Sequence, residues 1–170
     1  AVNCVHRGKG HNTDWVGFLK AMDINDIVLE GMDCIIIGAG GAARAIAYAL
    51  IQAGVKSISV QNRTRKKGIL LLKWINSIFQ NNEPREQFDI IINCTPIGMW
   101  PDTESMPEFK ISKGHFLADT IYNPLETKWL RLGRKKGAKV VGGLDMFIEQ
   151  GLASADIWFK KKISENIELE

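Results

Sequence analysis

The stretch Cys34–Arg44, which reads CIIIGAGGAAR, joins a continuous apolar run to a cluster of small residues. The apolar run predicts a buried strand, and the small residues that end the stretch predict the first turn of a helix. Three glycines lie between them, at Gly38, Gly40 and Gly41. Glycine lets a backbone approach a ligand closely, and the free N–H groups at a helix N-terminus favour an anion. The stretch therefore predicts an α/β protein with a phosphate-binding turn.

From Gly31 onward, short apolar runs alternate with segments of helical periodicity. A run such as Ile90–Ile92 is apolar without alternation, as expected for a strand of a parallel sheet covered by helices on both faces. We therefore predict a doubly wound, Rossmann-like α/β domain. The predicted strands are 34–37, 57–60, 89–93, 116–119 and 139–141, and the predicted helices are 42–53, 66–79, 126–136 and 145–158. The polar segment 80–87 predicts that the third strand of the first half is short or missing.

The residues before Gly31 predict a hairpin followed by a helix. A strand is expected over 1–5, a turn with two glycines over 6–10, and a return of the chain over 11–13, where Asn12 or Thr13 can cap the helix. The helix follows from the spacing of Trp15, Phe18, Leu19 and Met22. Because the chain starts directly as a strand and without methionine, we expect it to be a fragment of something longer. The expected division is 1–30, 31–144 and 145–170, the last being a helix with a charged tail.

Composition limits the classes of function. The chain has 170 residues, of which 45% are hydrophobic and 24% charged, and its net charge of +3 is too small to indicate a nucleic-acid partner. Its three cysteines include no close pair, which favours reduced thiols and a cytoplasmic location. No run approaches the length of a membrane span, so no membrane association is expected. The three histidines, at 6, 11 and 115, lack ligand spacing, so no metal is assigned.

The glycine turn matches the dinucleotide fingerprint G-x-G-x-x-G/A through Gly38, Gly40 and Ala43. In this fingerprint the first glycine permits a tight turn, the second leaves room for the pyrophosphate, and the third position allows close packing of helix on strand. Glycines also end strands for purely structural reasons. Because this match follows a predicted strand and opens a predicted helix, it favours nucleotide binding.

The end of the next strand selects between NAD and NADP. An NAD site carries an acid about 20 residues past the glycines, to hold the ribose 2′-hydroxyl. The sequence there is Gln61–Lys67, QNRTRKK, without an acid. Arg63 is suited to stack on adenine and to bind a 2′-phosphate, and Arg65 or Lys67 can add a second charge. The cations could instead begin a solvated helix, but there they would oppose the helix dipole, so the sequence favours NADP.

Taken together, the motifs of this chain resemble those of the shikimate dehydrogenase family. The segments that carry the resemblance cover nearly the whole chain in the same order. They are 1–3 (AVN), 12–14 (NTD), 17–18 (GF), 38–43 (GAGGAA), 62–64 (NRT), 93–99 (NCTPIGM), 122–127 (YNPLET), 143–146 (GLDM) and 150–151 (QG).

The resemblance implies a reaction and a set of site residues. The family interconverts 3-dehydroshikimate and shikimate reversibly with NADP. By position, Asp14 resembles the catalytic carboxylate, Asn3 and Gln150 the substrate hydrogen-bonding residues, and Tyr122 a ring lining the substrate pocket. The implied cofactor residues are Gly38, Gly40, Gly41, Ala42, Asn62, Arg63, Thr64, Lys67, Thr95, Gly143 and Met146. From the residues without the resemblance, Asp14 is an ordinary helix-start acid, Gln150 an exposed helix residue and Tyr122 a packing aromatic.

The chain departs from the family at its N-terminal side. The family's substrate-domain region, with the lysine that partners the catalytic carboxylate, has no counterpart here, and Lys9 does not match the motif of that lysine. Residues 1–30 are then a remnant of the substrate domain, and 31–144 form the NADP-binding domain. Two alternatives stay open, a non-catalytic NADP-binding module and a quinate/shikimate dehydrogenase that accepts NAD. The oligomeric state is also open.

Overall fold

The computed structural model describes residues 1–80, 82–83, 85–160 and 162 of the chain. Most of them form an α/β unit of one parallel sheet with helices, preceded by a small hairpin. The strands are β1 (Cys4–His6), β2 (Lys9–His11), β3 (Asp33–Ile37), β4 (Ser57–Gln61), β5 (Ile90–Asn93), β6 (Phe116–Asp119) and β7 (Lys139–Val141). The helices are α1 (Asp14–Ile24), α2 (Gly41–Gln52), α3 (Arg65–Ile78), α4 (Lys128–Lys135) and α5 (Gly143–Phe159).

The main sheet confirms the predicted doubly wound fold. Its strand order is β4-β3-β5-β6-β7, and every neighbouring pair is parallel. Alternate residues of β3 enter different cores, since Ile36 belongs to one buried cluster and Ile35 to the other. The strand order reverses direction between β3 and β5, where Ile37 pairs with Asn93. In open α/β sheets, ligands bind at such a switch point, beyond the carboxyl ends of the strands.

β4 lies at the edge of the sheet, and the described residues of 80–87 form no strand beside it. This agrees with the prediction that the third strand of the first half is short or missing. The backbone of Ile58 instead donates to Oδ1 of Asn82 at 2.7 Å, and Nδ2 of Asn82 donates to the Ile58 carbonyl at 3.0 Å. One strand residue further on, the backbone N–H of Arg85 donates to Oγ of Ser59 at 3.2 Å. A side-chain amide therefore satisfies backbone groups that a third strand would otherwise pair.

The N-terminal hairpin is tighter than predicted. Its turn contains only Arg7 and Gly8, whose φ angles of 49° and 74° are both positive. Two-residue hairpin turns with positive φ match the twist of the flanking strands, so Lys9 and Gly10 belong to β2 and not to the turn. The first strand starts at Cys4 rather than at Ala1.

The helices occur where they are predicted, with boundaries that shift by one or two residues. The largest changes are at α4, which begins at Lys128 and not at Glu126, and at α5, which begins at Gly143 and not at Asp145. The predicted charged tail 160–170 lies mostly outside the described residues, which include only 160 and 162 of it. Within the described ranges, no helix combines the length and apolar character that crossing a membrane requires.

Candidate cofactor and substrate site

Gly38 ends β3 in a conformation that only glycine adopts easily. Its φ is +117°, and a Cβ built there would lie 2.7 Å from the carbonyl oxygen of Cys94. A side chain at this position would therefore collide with backbone at the end of β5. The first glycine of the fingerprint thus allows the ends of β3 and β5 to approach each other at the switch point.

Gly40 lacks such a collision. It is the N-cap of α2 with φ −93°, it makes no side-chain capping bond, and a Cβ there would meet nothing within 4 Å. The open space beside it is a cavity of about 580 Å³ that Gly40, Gly41, Arg44 and Lys67 help to line. An uncapped helix N-terminus with two cations beside it fits a phosphate group. Further along the turn, Ala43 is fully buried, as expected for the third position of the fingerprint.

A second cavity, of about 720 Å³, opens at the carboxyl ends of β3 and β4. Gly38, Asn62, Arg63 and Thr95 line it. Asn62 shapes the turn before α3 by donating from Nδ2 to the Thr64 carbonyl at 2.8 Å, and Thr64 is the extended N-cap of α3. Four of the predicted cofactor residues therefore border one cleft.

Two acidic side chains, Asp102 and Glu108, also line this second cavity. Sequence reasoning missed them because it searched for an acid only after β4, whereas these two belong to the long connection between β5 and β6. The absence of an acid within 61–67 therefore did not exclude acids from the cleft.

The loop that carries Thr95 is held by buried polar residues. Oδ1 of Asn93 accepts hydrogen bonds from the backbone N–H and the hydroxyl of Thr95, at 3.1 and 2.7 Å. Nδ2 of Asn93 donates to Asp119 at 3.1 Å, and Thr127 donates its hydroxyl to the same carboxylate at 2.9 Å. Burial raises the pKa of Asp119 to about 6, although these hydrogen bonds oppose the shift. Sequence reasoning did not select Asn93 or Asp119 individually; polar residues at the ends of buried strands were the available signal.

Gly143 and Met146, at the start of α5, do not line either of these cavities. A Cβ on Gly143 would lie 2.5 Å from the carbonyl carbon of Thr120, so this glycine lets α5 begin against the end of β6. Met146 is buried in the main core cluster. Ala42 follows the glycine turn in the first turn of α2.

The carboxylate that the resemblance assigned to catalysis lies together with the two residues that it assigned to substrate hydrogen bonding. Nδ2 of Asn3 is 2.7 Å from Oδ1 of Asp14 and 3.2 Å from Oε1 of Gln150. Asn3 belongs to the N-terminal segment and Asp14 to the first turn of α1. Gln150 lies two turns into α5. The cluster is therefore assembled by the tertiary fold from positions 3, 14 and 150.

Thr13 supports this cluster, and sequence reasoning treated it only as a helix cap. It is the N-cap of α1 without making a side-chain capping bond. Its buried hydroxyl instead accepts from Nδ2 of Asn3 at 2.9 Å and lies 2.8 Å from the hydroxyl of Ser154. The backbone N–H of Thr13 donates to Oδ1 of Asn3 at 2.8 Å, so both ends of the Asn3 amide are fixed.

Partial burial raises the pKa of Asp14 above its usual range, while the hydrogen bond from Asn3 lowers it. Among the described residues, the groups that shift this pKa include no lysine. Over all the residues that the structure describes, histidine, cysteine, aspartate and glutamate side chains form no group of three or more that could hold a metal ion.

Tyr122 joins this cluster through α5. Its ring stacks on Phe147 with centroids 4.3 Å apart, and each of the two residues is 46% exposed. The carbonyl oxygen of Phe147 accepts from Nε2 of Gln150 at 2.9 Å. Tyr122 also borders a cavity of about 320 Å³ with Thr95 and Trp100. One end of α5 therefore connects the aromatic ring to the Asn3 and Asp14 side chains.

Comparisons with known proteins identify the family of this chain. Residues 20–98 match the sequence profile of the shikimate/quinate 5-dehydrogenases. A shikimate dehydrogenase (NADP(+)) of Bacillus cereus strain AH187 is 40% identical over 93% of this chain and 62% of its own length. A crystal structure of a shikimate dehydrogenase in complex with NADP+ superposes with a TM-score of 0.84 at 34% identity, covering 99% of this chain and 68% of the other. The 5-ketofructose reductase of Gluconobacter sp. strain CHM43 superposes with a TM-score of 0.83 at 34% identity, covering 95% of this chain and 64% of the other.

The parallel sheet, the reversal of strand order and the glycine turn define a Rossmann-like α/β protein. The matched profile and the similarity to proteins of known structure then give the family, and the chain belongs to the shikimate dehydrogenases. It spans about 62% of the length of the Bacillus cereus relative.

Proposed function

We propose that this chain is the NADP-binding part, with one side of the active site, of an NADP-dependent shikimate dehydrogenase. The observation that carries the proposal is the cluster in which Asn3 binds Asp14 and Gln150. It places a carboxylate of raised pKa beside two amides on a Rossmann-like fold. Two of the relatives, at 40% and 34% identity, are named shikimate dehydrogenases.

The proposed cofactor site has two parts. The uncapped start of α2 at Gly40, Gly41 and Ala42 binds the pyrophosphate, with room left by the missing side chain of Gly40. Arg63, with Asn62 and Thr64, binds the adenosine 2′-phosphate, since cations and not an acid follow β4, and Lys67 lies beside the pyrophosphate at the start of α2. Gly38 and Thr95 line the same cleft as Arg63, and Gly143 and Met146 contribute by placing the first turn of α5.

The proposed chemistry divides between cofactor and protein. Bound NADP supplies or accepts a hydride. Asp14 orients the substrate hydroxyl and exchanges its proton, a role favoured by a carboxyl pKa that burial raises above its ordinary value. Asn3 and Gln150 hold the substrate's other hydroxyls, and the exposed Tyr122 ring packs against the substrate's carbon ring.

A non-catalytic NADP-binding module is the second candidate, and one observation favours it. No lysine is among the described groups that shift the pKa of Asp14, so the carboxylate lacks the partner that the family supplies for proton transfer. Quinate remains an alternative substrate, since the matched profile covers shikimate and quinate dehydrogenases together.

The proposed organisation follows from the same reasoning. Residues 1–30 belong to the substrate domain, 31–144 form the NADP-binding domain, and α5, within the predicted division 145–170, closes the cleft. A cytoplasmic location is proposed from the three cysteines, all of which are free thiols.

Calorimetric titration of the chain with NADP and with NAD tests the cofactor assignment. We expect tighter binding of NADP and a loss of about tenfold or more in NADP affinity for Arg63→Ala, since a charge-assisted contact to phosphate contributes at least about 1.4 kcal/mol. NAD affinity should change less. Arg131→Ala, which removes an arginine from α4 that donates to the Glu126 carbonyl, is the matched control. Equal affinity for both cofactors would rule out the NADP assignment.

A further inference from the structure

We infer that Gly17 is a positioning residue of the proposed active site: its missing side chain sets the separation between α1 and α5, and so between Asp14 and Gln150. The inference rests on the proposed function for its catalytic consequence. Its geometric part stands on contacts within the described residues.

Gly17 lies where α1 crosses α5. A Cβ built on Gly17 would lie 2.6 Å from the carbonyl oxygen of Met146 and 2.7 Å from the backbone N of Gln150. Both neighbours are backbone atoms inside a helix, so neither can rotate away as a side-chain end can. Interiors are close-packed, and such a contact is relieved only by moving one helix relative to the other.

The required movement is large on the scale of the site. Ordinary Cβ contacts begin at 3.4 Å, so the 2.6 Å contact needs a separation of about 0.8 Å. Asp14 precedes Gly17 by three residues and therefore lies on the same face of α1. Gln150 is itself one of the residues that a Cβ on Gly17 would touch. A shift that relieves the contact therefore moves Asp14 away from Gln150 directly.

The hydrogen bonds of Asn3 would respond first. Its Nδ2 spans Asp14 at 2.7 Å and Gln150 at 3.2 Å, and the longer of these bonds is already near the limit for an N–H···O bond. Further along the same two helices, Lys20 and Glu149 form an ion pair at 3.1 Å, and Asn25 donates to Asp145 at 2.9 Å. These contacts keep α1 on α5, so the extra methyl group would produce a tilt or a slide at Gly17 rather than a separation of the whole pair.

The chain offers two matched glycines as controls. A Cβ on Gly151, in α5 next to Gln150, would meet nothing within 4 Å. A Cβ on Gly133, in α4, would collide with the side chain of Leu117 in the second buried cluster. This cluster is separate from the one that contains residues of α1. Gly151→Ala therefore adds a methyl group near the site without a collision, and Gly133→Ala adds a collision away from the site.

Crystal structures of the chain with Gly17→Ala, Gly151→Ala and Gly133→Ala test the geometric part. We expect the bond between Asn3 and Gln150 to be broken in Gly17→Ala and kept in both controls. If Gly17→Ala does not fold, the double variant with Gly151→Ala supplies added helix propensity in α5 for the same measurement. An intact bond between Asn3 and Gln150 in a variant that carries Gly17→Ala would overturn the inference. This readout needs no catalysis, so it stands even if the proposed function fails.

Kinetics test the catalytic part in a polypeptide that turns over shikimate. A displacement of about 1 Å at reacting groups costs up to about a hundredfold in rate, so we expect kcat to fall by about 10- to 100-fold in Gly17→Ala. The NADP dissociation constant should change less than kcat, because the proposed phosphate contacts lie at the start of α2 and after β4, away from α1. Gly133→Ala should melt earlier but keep its kcat. Equal losses of kcat in Gly17→Ala and Gly133→Ala would reduce Gly17 to a general packing residue and overturn the inference.

Discussion

Asn3 uses both ends of its amide to hold the candidate site together. Its Nδ2 is within hydrogen-bond distance of Thr13, Asp14 and Gln150, at 2.9, 2.7 and 3.2 Å, while its Oδ1 accepts from the Thr13 backbone at 2.8 Å. An amide nitrogen has two hydrogens, so one of the three acceptors shares a proton. The contact with Asp14 is the shortest of the three, so Asp14 receives the strongest of these hydrogen bonds. The carboxylate is therefore held in one orientation before any ligand binds.

Asp14→Asn separates a catalytic role from a structural one. The variant keeps the side-chain size and an oxygen for Asn3 but removes the proton-transferring group. In a longer polypeptide that contains this chain and turns over shikimate, we expect kcat to fall by at least about a hundredfold, as for loss of a general acid or base. Loss of a first-turn charge alone would cost about 0.3 to 1 kcal/mol of stability and leave the rate unchanged. Steady-state kinetics, thermal melting and NADP titration are the measurements.

Asp23→Asn is the matched control, because Asp23 is an exposed carboxylate on the same helix. It should leave kcat and NADP affinity unchanged. A near-normal kcat with an earlier melting transition in Asp14→Asn would return Asp14 to the role of a helix-start acid.

Asp119 predicts a pH dependence of stability. Its folded pKa of about 6 lies above its ordinary value of 3.8 because burial disfavours the charged form. A raised pKa means that the folded state binds the proton more tightly than the unfolded state does. The contribution of protonated Asp119 to the free energy of unfolding is therefore full below about pH 4 and is lost as pH rises through about 6. The loss amounts to at most about 3 kcal/mol at 1.36 kcal/mol per pKa unit.

Chemical denaturation of wild type and Asp119→Asn at about pH 4, 5, 6 and 7 measures this contribution. These pH values cover the range from the ordinary pKa of 3.8 to the folded pKa of about 6. Relative to the variant, wild type should lose free energy of unfolding as pH rises across this window. Asp23→Asn again serves as the control, with a pH dependence like that of wild type. A constant difference between wild type and Asp119→Asn would mean that Asp119 titrates at its ordinary value.

At the scale of elements, the turn between β3 and α2 uses its glycines for two different reasons. Gly38 has a positive φ and touches the backbone at the end of β5, whereas Gly40 has an ordinary φ and borders open space. The first glycine is required by packing at the switch point. The second leaves the N-terminus of α2 accessible. Within one sequence motif, Gly38 is therefore needed for folding, and Gly40 is a candidate for ligand binding.

Alanine substitutions distinguish these two requirements. Gly38→Ala should lower the free energy of unfolding by about 3 kcal/mol or more, from strained φ plus a backbone collision. Gly40→Ala should change it by no more than about 1 kcal/mol, because alanine accepts that conformation. Its methyl group should nevertheless lower NADP affinity by about tenfold or more, since it enters the space left for phosphate. Denaturation curves and calorimetry provide both numbers for each variant; unchanged NADP affinity in Gly40→Ala would contradict a phosphate at this turn.

The whole molecule brings the two ends of the described chain to one place. Asn3 and Gln150 are 147 residues apart in sequence and hydrogen-bonded in the structure. Trp158 at the end of α5 likewise donates its indole N–H to the Val5 carbonyl at 3.1 Å. The candidate substrate site therefore forms only when α5 packs on α1 and the hairpin. The proposed phosphate-binding residues, by contrast, lie at the ends of β3 and β4 and at the starts of α2 and α3.

Because of this division, the chain of 170 residues should bind NADP without turning over shikimate. The strand ends and helix starts of its α/β unit supply the proposed cofactor contacts, whereas no lysine among the described residues shifts the pKa of Asp14. NADPH absorbance in the presence of shikimate should stay flat at high protein concentration. The Bacillus cereus relative, assayed in parallel, is the positive control. Robust turnover would mean that a residue of this chain replaces the missing partner.

The sequence was sufficient to predict the family and the parallel α/β fold. Continuous apolar runs such as Ile90–Ile92 indicate strands buried on both faces, and a glycine turn after one of them indicates the switch point. These features are local, because a strand, a turn and a helix start are encoded within a few neighbouring residues. The boundaries were less accurate at the hairpin, where the positive φ of Arg7, a residue without special turn preference, moved Lys9 into β2.

Tertiary packing alone revealed the side chains that support the candidate site. Asp102 and Glu108 reach the Arg63 cleft from a distant loop, and Thr13 turns from helix capping to bind Asn3. Asp119 gains its raised pKa from burial, which depends on the elements packed around it. The distance between Asp14 and Gln150 depends on how closely two helices approach at a glycine. Such properties arise from atoms remote in sequence, so the order of residues along the chain predicts which side chains are present but not how far apart they lie.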